Sequence, residues 1–297
     1  MPSESSSGAA AFVWRALSAI KGCRSGVLVL PLAGVLGCSV LVDANRVQCK
    51  SDEDCTARGA SFARSSCVNA LCEGDPKWAC LQDPAPAPGG AGPFRVTMHL
   101  ADLINKSPIP GVRADLCRKV DVSCGDPAAT VTSDASGTVS LTSVEAGFSG
   151  YVALQSSAIV PTLYFFNPLI VRDQDIPSLS LSNSAARGGL LAQLGADTAR
   201  ADVLLNASDC QGKPASGISY ALTPPIAGAI AYYLSSGLPT HNSSATDATG
   251  YGGFVNLPSG TVTITATDTE SRTRIATLTL VVREGSATWS RVIPDGT

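Results

Sequence analysis

Cysteine offers this chain the most chemistry, and histidine the least. Ten cysteines stand against two histidines, His99 and His241, in 297 residues. Thiols close disulfides in an oxidising compartment or ligate metals as thiolates. Cys23 and Cys38 lie in the N-terminal region. Cys49, Cys55, Cys67 and Cys72 crowd together with gaps of five, eleven and four residues, followed by Cys80, Cys117, Cys124 and Cys210. Zinc sites favour close C-x2-C pairs with matching Cys or His. These gaps, with no histidine nearby, point to disulfides instead. A segment this short buries too little apolar surface to hold itself and needs staples. Crossed pairing, Cys49–Cys67 and Cys55–Cys72, is expected. Cys117 and Cys124 bracket six residues and read as a hairpin clip. By elimination, Cys80 and Cys210 tie the end of the cysteine-rich segment to the last domain.

Catalytic patterns are sparse. The chain has no G-x-S-x-G, no H-E-x-x-H and no P-loop. His99 falls on the polar side of an alternating strand, and His241 follows Pro239-Thr240 in a loop. Lys50–Asp54 and Asp173-Gln174-Asp175 are acidic enough to raise calcium, but read as solvated turns. No metal, cofactor or catalytic residue is expected. Tyr164-Phe165-Phe166 and Tyr232-Tyr233 are the aromatic clusters. Neighbouring strand residues point to opposite faces, so each cluster offers one ring to a sugar or partner, unless both rings cover core. The net charge of −3 argues against nucleic acid, which requires a basic excess.

The N-terminus reads as an address. Arg15, Lys21 and Arg24 precede the apolar run Val27–Leu36. The run falls short of the roughly 20 apolar residues that span a bilayer and has the shape of a secretory signal. It ends in Val35-Leu36-Gly37-Cys38, which resembles the lipobox of bacterial lipoproteins. That resemblance implies cleavage before Cys38, acylation of Cys38 and anchorage in the cell envelope. By the enterobacterial sorting rule, Ser39 implies the outer membrane. Residues 49–80 are similar to cysteine-rich modules beside the anchor of myxobacterial surface lipoproteins.

Asp83–Pro93 alternates proline with alanine and then runs into glycine, a semi-rigid linker that softens. Beyond it the sequence reads as strands. Phe94, Val96, Met98 and Leu100 alternate with polar residues, as do Val262, Ile264 and Ala266 among threonines. A weak repeat links Ser133-Asp134-x-x-Gly137 to Thr246-Asp247-x-x-Gly250. The Asp carboxylate accepts turn N–H groups, and Gly supplies φ > 0 at the turn's end. Asp134, Gly137, Asp247 and Gly250 are therefore expected to form turns.

Gly217-Ile218, Thr246–Gly250, Phe254, Leu257-Pro258-x-Gly260 and the strand that follows resemble the carboxypeptidase-regulatory-like (prealbumin-like) β-sandwich. Val281–Gly285 resembles that family's last hairpin. The resemblance covers about residues 200–294. Residues 94–182 fit less well, having Glu145–Phe148 where the family has Leu-Pro-x-Gly. CNA-B adhesin repeats are a second resemblance, but their Lys–Asn isopeptide set is not found. The expected architecture is all-β, with two Ig-like or prealbumin-like sandwiches after a disulfide-rich segment. The boundaries are signal 1–37, cysteine-rich module 38–82, linker 83–93, first sandwich 94–183, connector 184–199 with a short helix over 184–196, and second sandwich 200–297. The expected function is a non-enzymatic envelope lipoprotein on a stapled stalk, membrane-bound through its lipid, that displays its sandwiches to a surface or envelope protein. The rivals are a carbohydrate- or peptidoglycan-binding module and an extracytoplasmic hydrolase or its accessory.

Overall fold

A computed structural model describes residues 47–58, 62, 65–74, 76–82, 92–167 and 169–295. Cys38, the signal segment and most of the linker lie outside the described residues. The chain begins with a short helix, α1 (Asp52–Thr56), and a hairpin of β1 (Ser65–Val68) and β2 (Leu71–Gly74). The hairpin turns at Asn69 and Ala70, both with positive φ, as a two-residue hairpin turn requires. Asp54 caps α1 by accepting from the Lys50 and Ser51 N–H groups at 2.7 and 3.1 Å. Two disulfides, Cys49–Cys67 and Cys55–Cys72, clamp helix to hairpin. Among the described residues no helix is long and apolar enough to cross a membrane.

The next turns, Pro76–Gln82, are not a free stalk. Trp78 is 2% exposed, and with Leu81 it enters the core of the second sandwich. Cys80 bonds Cys210 across a separation of 130 residues. The Cys210 N–H donates to the Lys77 carbonyl at 3.0 Å. Burying an indole removes a large apolar area from water. That burial, with the expected Cys80–Cys210 bond, fixes the segment on the second sandwich.

Two sandwiches follow. The first contains β3 (Phe94–Asp102), β4 (Arg113–Arg118), β5 (Ala129–Thr132), β6 (Thr138–Val144), β7 (Gly150–Gln155), β8 (Thr162–Phe165) and β9 (Gln174–Leu181). A helix, α2 (Ser184–Gln193), leads to the second. That sandwich has β10 (Ala201–Ala207), β11 (Ile218–Leu222), β12 (Ile230–Ser235), β13 (Leu238–Thr240), β14 (Tyr251–Leu257), β15 (Gly260–Asp268), β16 (Arg274–Val282) and β17 (Ala287–Val292). In β3, Val96, Met98 and Leu100 are buried, while His99 lies on the wetter side.

The two sandwiches share a sheet. β17 pairs in parallel with β10 on one side and with β8 on the other. The result is a nine-stranded sheet in the order β13-β12-β14-β10-β17-β8-β7-β4-β5. Two three-stranded sheets, β6-β3-β9 and β11-β15-β16, pack on it. They cover opposite faces. Tyr164, Trp289, Leu204, Gly253 and Tyr232 are in register across the sheet and therefore share one face. Tyr164 belongs to the first core, with Met98, Leu141 and Leu154. The neighbouring row of Leu163, Val203 and Phe254 belongs to the second core, with Ile264 and Leu278. The segment Val281–Gly285 is thus not a hairpin. It carries the chain from β16 in one sheet to β17 in the other. On one face β17 buries Thr288, Ser290 and Val292 (0%, 1% and 0% exposed), while on the other Trp289 is half-buried and Arg291 exposed. Hydrogen bonding along both of its edges places it in the middle of the sheet.

The repeat has a common geometry. In the first sandwich, the Ser133 hydroxyl accepts from the Val112 N–H and donates to the Ile109 carbonyl, both at 2.9 Å. In the second, the Thr246 hydroxyl accepts from the Ile218 N–H at 3.0 Å and donates to the Ala215 carbonyl at 2.7 Å. Asp134 accepts from the Ser136 and Thr138 N–H groups, and Asp247 from the Thr249 N–H. Gly137 and Gly250 have φ of 73° and 75°. A Cβ on either would stand 2.5 Å from a carbonyl oxygen, that of Leu100 or of Ala207.

Candidate functional site

The face of the second sandwich that β11-β15-β16 leaves uncovered is only partly closed. α2 lies over it, with Leu191 and Leu194 packed on Tyr232 and Val255. Asn183 starts the helix by accepting from the Ala186 N–H at 2.9 Å, the usual N-cap bond. Gly188 and Gly189 sit in it without cost to packing, since a Cβ on either would meet nothing.

Arg187 is the one charged residue that α2 buries. Its guanidinium pairs with the Asp202 carboxylate, with Nε 2.6 Å from Oδ1. The Nη groups donate to the carbonyls of Thr198 and Arg200, each at 2.8 Å. Burial pushes the Asp202 carboxyl up, and the guanidinium pulls it back. A charge pair taken from water is tolerable only when its remaining donors are filled, and the two carbonyls fill them. The pair thereby pins the loop from α2 into β10.

Between this helix, the β3–β4 loop and the β12–β13 turn lies a groove of about 500 Å3. Its floor comes from Leu204, Tyr232, Val255 and Trp289, and its sides include Leu190 and Leu234. Ile104 (71% exposed) and Leu238 (57% exposed) stand on its rim with Lys106. The Tyr232 hydroxyl crosses β14 at Gly253 to donate to the Val203 carbonyl at 3.2 Å. A second cavity of about 260 Å3 adjoins it and is more polar, with Asp175, Asn206, Ser208 and Arg291. The two share Tyr251 and Trp289, whose rings meet edge to face at 6.2 Å.

The aromatic clusters do not make a flat binding strip. Tyr164 and Tyr232 are buried on one face of the shared sheet, and Phe165 and Tyr233 on the other. Burial pushes the Tyr164 hydroxyl up to about 12. The first core covers Tyr164, and Leu191 and Leu194 cover Tyr232, so alternation exposes neither ring. Among the described residues no aromatic side chain is exposed.

His99 makes the nearest approach to a catalytic line. Its Nδ1 lies 3.1 Å from the Thr138 hydroxyl and its Nε2 3.6 Å from Asp175. The imidazole is 44% exposed and Asp175 68%. The group lies on an open strand face, without the water-excluding pocket that activates a nucleophile. His241 is an exposed loop residue. Asp173 accepts from the Arg95 N–H, away from Asp175, so the two carboxylates do not converge. Among the described residues the one compact set of metal-ligand types is Cys49, Cys55 and Cys72, and disulfides consume it. Cys117 and Cys124 are bonded, and their loop receives the Tyr151 hydroxyl on the Asp121 carbonyl at 2.6 Å. Arg283 reaches the same loop at the Val122 carbonyl, 2.7 Å away.

Arg187, Asp202 and Trp289 had no motif to announce them. The one available signal was a lone arginine in an otherwise small and apolar helix, Ser184–Gln193.

Fold and groove together define an all-β protein of two fused sandwiches with a lateral apolar groove. No family model matches the chain, and no curated protein matches it. Among solved structures, the Bacillus anthracis TIE protein is 10% identical with a TM-score of 0.24, over 68% of this chain and 34% of that one. The shaft pilin SpaA from Lactobacillus rhamnosus GG is 9% identical with a TM-score of 0.23, over 69% of this chain and 98% of that one. The major pilin subunit of Bacillus cereus is 8% identical with a TM-score of 0.23, over 67% and 69%. The chain thus spans about a third of the TIE protein. The architecture stands on the sheet topology above and not on these likenesses.

Proposed function

We propose that this is a non-enzymatic lipoprotein of the cell envelope, anchored through Cys38, that presents its two fused sandwiches to a protein partner at the outer membrane. The observation that carries the reading is the shared nine-stranded sheet. A sheet that runs through both sandwiches makes one stiff body out of two. Docking of Trp78 and the Cys80–Cys210 bond tie the end of the cysteine-rich segment into that body. Such a build suits display or scaffolding better than hinged closure over a substrate.

The test is the intact mass of the protein purified from its native membrane. The expected mass is that of residues 38–297 plus lipid, less the hydrogens of four disulfides. Fatty-acid labelling should disappear in Cys38→Ala, which should leave the membrane fraction. A full-length mass with free thiols and no lipid overturns the reading.

A further inference from the structure

We infer that the groove beneath α2 binds a free long-chain fatty acid, with its hydrocarbon along the floor and its carboxylate at Lys106. The inference goes beyond the envelope reading and does not depend on it, because no residue of the groove lies before Leu103.

The floor and sides select for hydrocarbon. Leu190, Leu204, Leu234, Val255 and the faces of Tyr232 and Trp289 offer apolar contact. The most deeply buried polar groups among them are already satisfied. Arg187 spends its donors on Asp202, Thr198 and Arg200, and Tyr232 spends its hydroxyl on Val203. Among the described residues no buried side-chain nitrogen or oxygen lacks a partner. A sugar laid here would leave hydroxyls unpaired, at a cost in free energy that apolar contact does not repay. An extended peptide cannot add a strand to the floor, because β12, β14, β10 and β17 are each paired on both sides; the free edges beside the groove belong to β13 and β9 at its sides. A methylene chain needs no hydrogen bonds.

The rim selects for an anionic head. Lys106 is exposed there, with its Nζ 3.3 Å from the Ser180 hydroxyl. The other charged lining groups, Arg187 and Asp202, neutralise each other. Lys106 is the one lining cation outside that pair, with the Asp102 carboxylate of the same turn within reach of its charge, and beside a hydroxyl it suits a carboxylate, which accepts from both. The exposed Ile104 and Leu238 flank the entrance. A volume of about 500 Å3 lies within the usual range for small-ligand sites.

The test uses the full-length chain, palmitate carrying a photoactivatable diazirine, and peptide mapping of the cross-links. Label should concentrate on residues 187–204, 230–239 and 287–289, and unlabelled palmitate should compete it away. Methyl palmitate should compete roughly tenfold less well, the size of one charge-assisted hydrogen bond. Lys106→Glu should weaken labelling by a similar factor, and Leu238→Glu and Ile104→Glu should each reduce it. All three sites are exposed, so far-UV circular dichroism should not change. Label scattered over the chain overturns the inference. So does equal competition by acid and methyl ester, or indifference to Lys106→Glu. Cross-linking from a photoactivatable phospholipid in vesicles but not from the free acid also overturns it, and makes the rim a membrane contact.

Discussion

The two sandwiches use the same turn and yet close differently. Each places a hydroxyl, an aspartate and a glycine at one corner, with bond lengths that agree within about 0.2 Å. Each packs a three-stranded sheet on the shared one, but on opposite faces. In the first sandwich, the face turned from its own core takes up Tyr151 and Phe165, stacked at 4.8 Å, beneath the Cys117–Cys124 loop and Arg283. In the second, the corresponding face has a single helix over it and stays partly open. The same corner chemistry therefore sets where a strand turns. It leaves unsettled which face the next sheet covers, and the open face is where a ligand can enter.

The largest expected effects test how the two halves are tied. Replacing Cys80 and Cys210 with serine should cost about 5 kcal/mol, because the bond closes a long loop, against about 2.5 kcal/mol for Cys117 and Cys124. Urea titration should give those shifts within one cooperative transition. Two separated transitions would mean that the β17 pairings do not couple the sandwiches. Arg187→Met should destabilise by about 3–5 kcal/mol by leaving Asp202 buried without a partner. Asp202→Leu in the same background should restore part of that loss. The first sandwich's counterpart, Arg113 with the buried Asp115, keeps its arginine 59% exposed.

Smaller effects should be symmetric. Gly137→Ala and Gly250→Ala should each cost about 3 kcal/mol, from a left-handed backbone together with a Cβ forced against a carbonyl. Ser133→Ala and Thr246→Val should each cost about 1–3 kcal/mol through two lost buried hydrogen bonds. Unequal losses in a thermal melt would show the corners to be alike in shape only. Asp134 gives the subtlest effect. The Ser136 hydroxyl and the Thr138 N–H hold its carboxyl below the usual carboxylate range. Its stabilisation is therefore full at neutral pH and is lost as pH falls through that lowered value. Asp134→Asn should lower Tm at pH 7, and the gap from wild type should narrow at about pH 2.

How much of this was legible can be read from particular residues. The alternation of Val96, Met98 and Leu100 marks a buried face because strand side chains alternate with period two. Asp134 to Gly137 marks a turn because its bonds lie within five residues. The cysteine spacings favoured Cys49–Cys67, Cys55–Cys72 and Cys117–Cys124, and elimination left Cys80–Cys210; the structure contains all four. Tyr164-Phe165 and Tyr232-Tyr233 were less readable, since exposure depends on whether a second layer covers the strand. Trp78 gave no sign of its role, because most of the core it fills is assembled from strands more than 100 residues later.

The sequence by itself determined the all-β class, the turn corners, the faces within each strand and the acidic, cysteine-rich character of the chain. These follow from local periodicity, local hydrogen bonds and composition. Only the tertiary structure decided that β17 would join the two sandwiches, that their covering sheets would lie on opposite faces, and that a groove would remain beneath α2. Periodicity specifies which side of a strand is apolar. It does not specify which strand lies beside it, because that choice is made by packing between segments far apart in the chain.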